Sequence, residues 1–283
     1  MNKQMLVIYV GISVFSLLII ILSYIGYMRY MQLSLCSCET YAKKYEKLPR
    51  VKSNDKVIIS IYLEKDDIEE IKSSMNSLLD QTVHPDQIII STPPGKDIKV
   101  PEYIKKNKIV TIHKLHEDYG KSSNFISPFL REKDGNTKII LVTDEQVYGP
   151  DFIETLVDES ENYPDSIIYV SGYNARVFSE TKKKIDMNNE NDIIDISKGV
   201  LIKPIFFDST VIDLEDENSP ENIKNTPNLL LSLNAHKNNI KLHKVDYKEN
   251  INREINGGGT KKREESLEKN ISPYYAIHFP SFK

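Results

Sequence analysis

Met5 to Met28 is a run of 24 residues without a single charge. An α-helix rises about 1.5 Å per residue, so this run can cross a hydrocarbon core of about 30 Å. It is apolar on every face, unlike a helix that buries one stripe against a soluble core. Tyr24 and Tyr27 stand near its end, where interfacial aromatics belong. A cleaved signal peptide would carry an apolar stretch of about 7–15 residues and a small-residue cleavage site. Leu35-Cys36 is a poor site of that kind. The expectation is an uncleaved anchor over residues 5–28, behind a stub of residues 1–4. Lys3 precedes the run, and Arg29, Lys43, Lys44, Lys47 and Arg50 come after it. The positive-inside rule weakens for a long folded domain, so charge alone leaves the orientation open.

Residues 29–54 read as a short polar stem. Cys36 and Cys38 lie in it, close to the bilayer, and Pro49 with mixed charges suits a linker. Acylation, pairing between chains and no role at all are each compatible with these two thiols. Two cysteines exclude a disulfide-built scaffold and a cysteine-rich zinc module. With 37 Lys+Arg against 41 Asp+Glu the net charge is −4, which speaks against nucleic acid as a partner.

From Lys56 the pattern alternates between strands and helices. Val57 to Leu63 is rich in β-branched residues and reads as a buried strand. Ile68, Ile71, Met75, Leu78 and Leu79 recur at helical spacing behind Asp66 and Asp67. Gln87–Ser91, Ile109–His113, Lys138–Val142, Ser166–Ser171 and Ile240–Val245 read as further strands. Val100–Lys106, Asn124–Arg131 and Pro150–Ser160 read as helices between them. Such alternation implies a mostly parallel sheet covered on both faces. Ligands collect at the carboxyl ends of strands in these sheets. Thr143-Asp144-Glu145 ends the fourth strand and is therefore the first place to look.

Ser77-Leu78-Leu79-Asp80-Gln81-Thr82, with Pro85-Asp86-Gln87-Ile88 after it, resembles the first helix and second strand of nucleotide-sugar glycosyltransferases of the GT-A fold. Asp118-Tyr119-Gly120 resembles their D-Y-G turn. Thr143-Asp144-Glu145, with Tyr148 and Pro150-Asp151-Phe152 after it, resembles their acidic D-x-D segment and its Y-P-x-x-F continuation. The match keeps family order over roughly residues 56–245. It implies a GT-A-like domain over residues 55–249, then a C-terminal loop and tail over 250–283. It also implies a nucleotide-sugar donor, a divalent Mn2+ or Mg2+, and a glycan, protein or lipid acceptor. The fold class expected is thus a GT-A-like, mostly parallel sheet flanked by helices, behind one transmembrane helix. The resemblance also implies a type II protein of a secretory-pathway membrane.

The resemblance also gives roles to single residues. Glu145 takes the metal-binding place, and Asp144 the place that contacts ribose or sugar. Asp118, Tyr119, Gly120 and Lys121 fall at the nucleotide. Thr143 departs from the family, which has an acid there. Asn124 stands where the family often has a lysine. Asn256-Gly257-Gly258-Gly259 precedes Lys261, Lys262 and Arg263, which suit a loop that closes over a diphosphate. The plain alternatives are a solvated strand end, an ordinary turn aspartate and a solvated basic loop. On the acceptor side Pro227-Asn228 replaces an acidic pair that supplies the general base. Asp213 and Glu221 are the nearby carboxylates that could stand in. Without a base, the chain would be an inactive GT-A-like domain kept for binding or scaffolding.

Overall fold

A computed structural model describes residues 3–47, 55–63, 66, 68–106, 108–117, 119–181, 191–212, 223–247, 253–254 and 279. Its centre is a seven-stranded sheet. The strands are β1 (Val57–Tyr62), β2 (Gln87–Thr92), β3 (Val110–Lys114), β4 (Lys138–Leu141), β5 (Ser166–Tyr169), β6 (Val200–Ile202) and β7 (Lys241–Lys244). Their order across the sheet is β7-β5-β6-β4-β1-β2-β3. The expected strands β1, β2 and β4 are parallel neighbours, with Ile59 facing Ile88 on one side and Ile140 on the other. β6 alone runs against its neighbours β4 and β5. The mixed α/β, mostly parallel architecture expected from the sequence is present.

Helices cover both faces. They are α1 (Lys3–Leu35), α2 (Cys38–Lys47), α3 (Lys72–Leu79), α4 (Glu102–Lys106), α5 (Ser123–Arg131), α6 (Phe152–Asn162), α7 (Ala175–Thr181) and α8 (Pro227–Lys237). One face buries Ile59, Ile61, Met75, Leu78, Ile140 and Phe152 together. The other buries Ile58, Phe125, Ile139, Leu141, Ile202 and Leu229. Alternate residues of β1 and β4 serve the two cores, as the pleat requires.

The helix α1 is long and apolar enough to cross a membrane, and its most apolar stretch is exposed. Its last turns pack against the domain. α1 continues unbroken past Arg29 to Leu35, and α2 begins after a single turn. Leu33, Tyr41, Ala42 and Tyr45 are buried in the domain's own core. Ser37 caps α2, its hydroxyl accepting from the Thr40 amide at 3.4 Å. α2 is strongly charged, yet Tyr41 and Tyr45 stand four residues apart on its inner face. Residues 48–54 lie outside the described residues.

One proline organises the region near the strand ends. Pro128 lies within α5 and has no N–H, so the carbonyl of Asn124 has no helical donor. The Ser60 hydroxyl of β1 donates to that carbonyl at 2.6 Å. Asn124 in turn donates its side-chain amide to the Val142 carbonyl at 2.7 Å. β1, α5 and the end of β4 are thereby tied together.

Candidate functional site at the strand carboxyl ends

The chain builds β1, β2 and β3 outward in one direction, then returns to place β4 on the other side of β1. This reversal opens a crevice beyond the carboxyl ends of β1 and β4, the usual ligand position in such sheets. Thr143, Asp144 and Glu145 continue β4 directly into that crevice and are half-buried.

The acidic turn is held firmly. The Thr143 amide donates to the Tyr148 hydroxyl at 2.9 Å, and that hydroxyl reaches the Ser197 carbonyl at 3.2 Å. Ser74 of α3 donates to the Thr143 carbonyl at 3.1 Å, and the Tyr148 amide donates to Ser77 at 3.1 Å. Gln81 donates to the Gly149 carbonyl at 2.6 Å. The Tyr148 ring is fully buried and lies 4.6 Å from Phe152. The sequence stretch Ser77 to Gln81 thus acts as a frame for the segment 143–150.

Several buried polar atoms around this turn have no protein partner among the described residues. They are Thr143 Oγ1, both amide atoms of Gln146, Asn124 Oδ1, and the hydroxyls of Ser91, Thr92 and Ser123. Ser91 lies opposite Tyr62 at the end of β1, so these atoms share the strand-end region. An unpartnered buried polar atom costs about 1–3 kcal/mol. Others of the kind lie elsewhere, at Arg29 Nη2, Asn76 Oδ1, His84 Nδ1, Thr137 Oγ1 and the Tyr173 hydroxyl, and ordered water or a polar ligand can supply the partners.

The D-Y-G turn is explained in part by packing. Gly120 has φ +52°, and a Cβ there would lie 2.5 Å from Asn225 Oδ1 and 2.9 Å from the Lys224 carbonyl. Only glycine fits under that crossing chain. The Lys121 amide reaches Asn225 Oδ1 at 3.5 Å. Tyr119 is half-buried and donates to Glu117 at 2.8 Å; burial and that carboxylate raise its hydroxyl above the usual range. Asp118 lies outside the described residues, as do Asp213, Glu221, Lys261, Lys262 and Arg263.

Pro227, where the resemblance expects an acidic pair, takes the first turn of α8, where its missing N–H costs nothing. Asn228 is a structural link: its carbonyl oxygen accepts from the Ile196 amide at 3.1 Å, and its amide reaches Asp195 at 3.4 Å. Asp195 Oδ1 also accepts from the amide and the hydroxyl of Ser197, at 3.1 and 2.8 Å. Asp195 is thus a carboxylate beside the place of the replaced pair, and sequence reasoning missed it. Its ties to Ser197 lead to Tyr148 and so to the acidic turn. Gly199, a little further on, has φ +105°, and a Cβ there would lie 2.2 Å from Phe152 Cζ.

The C-terminal segment reaches the site by its backbone. Arg253-Glu254 pairs antiparallel with Gln146-Val147, the residues directly after Glu145. Phe279 is fully buried, with its ring 5.5 Å from His236 of α8. The segment carrying the three glycines and the basic triplet lies outside the described residues.

Among the described residues no three His, Cys, Asp or Glu side chains come together as metal ligands. A Mg2+ or Mn2+ bound chiefly by phosphate oxygens takes only one or two carboxylates. Asp144 and Glu145 can supply these, and the unpartnered Thr143 and Gln146 atoms flank them. The residues present fit such an ion.

No family model matches the chain, and no curated protein matches it in sequence. Among solved structures, the chain is similar to a mannosyltransferase from Pyrobaculum calidifontis in complex with GDP-Man and Mn2+. The identity is 10% and the TM-score 0.45, over 80% of this chain and 65% of that one. The chain thus spans a little under two thirds of that structure's length.

Proposed function

We propose that the chain is a membrane-anchored glycosyltransferase that transfers a sugar from a nucleotide-sugar donor to an acceptor hydroxyl, with Mn2+ or Mg2+ bound at Glu145. The observation that carries the reading is the set of unpartnered buried polar atoms around Thr143-Asp144-Glu145, at the crevice where the strand order reverses. Hydroxyls and amides in such a place suit a polyhydroxylated ligand with a diphosphate. Glu145 would hold the ion, and Asp144 would bond ribose or sugar. A divalent ion there neutralises the charge that builds on the leaving diphosphate. Lys261, Lys262 and Arg263 would clamp that diphosphate. Asp118, Tyr119, Gly120 and Lys121 would frame the nucleotide. By the sequence resemblance to GT-A-fold glycosyltransferases the domain would lie on the lumenal side of a secretory-pathway membrane.

Asp195 would take the proton from the acceptor hydroxyl in place of the missing acidic pair. A second reading, nucleotide binding without transfer, is favoured by Pro227-Asn228 at that place.

Calorimetric titration of the full chain with UDP and GDP tests the reading. Mn2+ should strengthen binding, and Glu145→Ala should abolish that dependence. Asp144→Ala should weaken binding even without metal. A wild type that binds neither nucleotide under any condition would sink the proposal.

A further inference from the structure

The membrane helix and the cleft are joined by contacts whose order fixes their relative direction. Arg29 of α1 lies 3.3 Å from Asp80, at the end of α3. The Asn76 amide of α3 donates to the carbonyls of Leu33 and Cys36, at 3.0 and 2.9 Å. Ser73, near the start of α3, donates to Ser34 at 3.4 Å. As α1 advances from Arg29 through Leu33 to Ser34, its partners on α3 recede from Asp80 through Asn76 to Ser73. The two helices are therefore antiparallel. α3 leads from the carboxyl end of β1 to the amino end of its parallel neighbour β2, so it runs against the strands. α1 consequently runs with the strands.

The uncharged run precedes Arg29, so the bilayer lies beyond the amino ends of the strands. The carboxyl ends, with Thr143, Asp144 and Glu145, point away from it. Ser74, which bonds the Thr143 carbonyl, lies about 9 Å of helix beyond the level of Asp80. That exceeds the head-group layer, roughly 5–8 Å on each side.

A second helix also ties the domain to this anchor. α2 returns along α3 from the Cys36 end: Lys44 joins Arg29 on Asp80 at 2.5 Å, and the Tyr45 hydroxyl donates to the Pro85 carbonyl at 2.7 Å. α1 and α2 thus grip α3 over its whole length.

We infer that the acceptor hydroxyl reaches the cleft from the aqueous phase, on a water-soluble molecule and not on a lipid of the anchoring bilayer. The inference rests on the sugar-transfer reading of the site. In the step implied, the acceptor oxygen forms a bond to the anomeric carbon as the bond from that carbon to the diphosphate oxygen breaks. The nucleoside diphosphate leaves with the bonding pair, and the hydroxyl proton passes to the Asp195 carboxylate.

Two measurements on the full chain in lipid nanodiscs test this. In the first, Cys36 and Cys38 are replaced by Ser, and a fluorophore is placed by Asp97→Cys or Asp134→Cys. Asp97 lies beyond the carboxyl end of β2, and Asp134 lies before the amino end of β4. Energy transfer to labelled head groups should be greater from position 134, since a strand of this length separates the two levels by about 20 Å. Equal transfer, or greater transfer from position 97, overturns the inference. In the second, nucleotide binding and transfer are read on the same discs. Transfer to soluble glycans supports the inference, whereas transfer confined to lipids of the disc overturns it. Absence of nucleotide binding overturns the sugar-transfer reading and the acceptor with it, and the fluorescence arm distinguishes that failure from a misplaced cleft.

Discussion

Tyr148→Phe removes one oxygen from the frame of the acidic turn. The ring volume is kept, so the contact with Phe152 survives and no cavity opens. What is lost is the acceptor for the Thr143 amide at 2.9 Å and the donor to the Ser197 carbonyl at 3.2 Å. A hydrogen bond contributes about 0.5–1.5 kcal/mol net, and a buried group left without a partner costs about 1–3 kcal/mol. The Thr143 carbonyl keeps its bond from Ser74, so one donor and one acceptor are stranded. The expected loss is roughly 3 kcal/mol. At this chain size that lowers Tm by roughly 6–12 °C. Thermal unfolding of the full chain in detergent reads the stability, and calorimetric titration with nucleoside diphosphate reads the site. Affinity should fall as well, because the same hydroxyl joins the acidic turn to the Ser197 side of the crevice. A variant that melts and binds like the wild type would refute the claim that this hydroxyl holds the turn.

Other contacts lead to outcomes of the same kind. Asp195→Asn should slow transfer by roughly 10²–10⁴-fold and leave nucleotide affinity intact; an unchanged turnover would place the base elsewhere. Removing residues 1–28 should release a folded domain, whereas removing 1–35 also deletes buried Leu33, whose carbonyl accepts from Asn76. The longer truncation should be less stable by about 3–5 kcal/mol in urea denaturation, and equal midpoints would contradict the docking. Burial lowers the His113 imidazole below its ordinary value, helped by Arg131 and His116. The unfolded chain then binds more protons, so stability should fall as pH drops from about 6.5 toward the lowered folded value. His113→Asn should flatten that slope, and a slope unchanged in the variant would assign it to another group.

The sheet was legible because β-branched runs such as Val57–Tyr62 and Lys138–Leu141 are stretches that parallel neighbours bury on both faces. The place of the site came from one rule about strand ends and one acidic turn. Asp195 was not legible. Its position depends on Asn228, distant in sequence, and nothing local marks it among the many acidic residues of the chain. The docking of residues 29–47 was hidden for a different reason. In α2 a charged composition outweighs a narrow inner face of Tyr41, Ala42 and Tyr45. That face is recognisable only once α3 lies against it. The reversed direction of β6 depends on pairing with β4 and β5, and hydrophobic patterning carries no sign of strand direction.

Were α1 to span a bilayer, its unbroken course into the domain would give bilayer thickness a lever on the domain's attitude. The uncharged run of 24 residues is about 36 Å long, against a hydrocarbon core of about 30 Å. A span that is too long accommodates by leaning, here by roughly 30°. With a flexible tether that lean would end at the surface. Here Arg29, Leu33 and Cys36 are fastened to α3, so the whole sheet would lean by the same angle. A thicker bilayer brings the sheet upright and a thinner one lays it toward the surface, changing the direction in which the crevice opens without altering a single contact inside it.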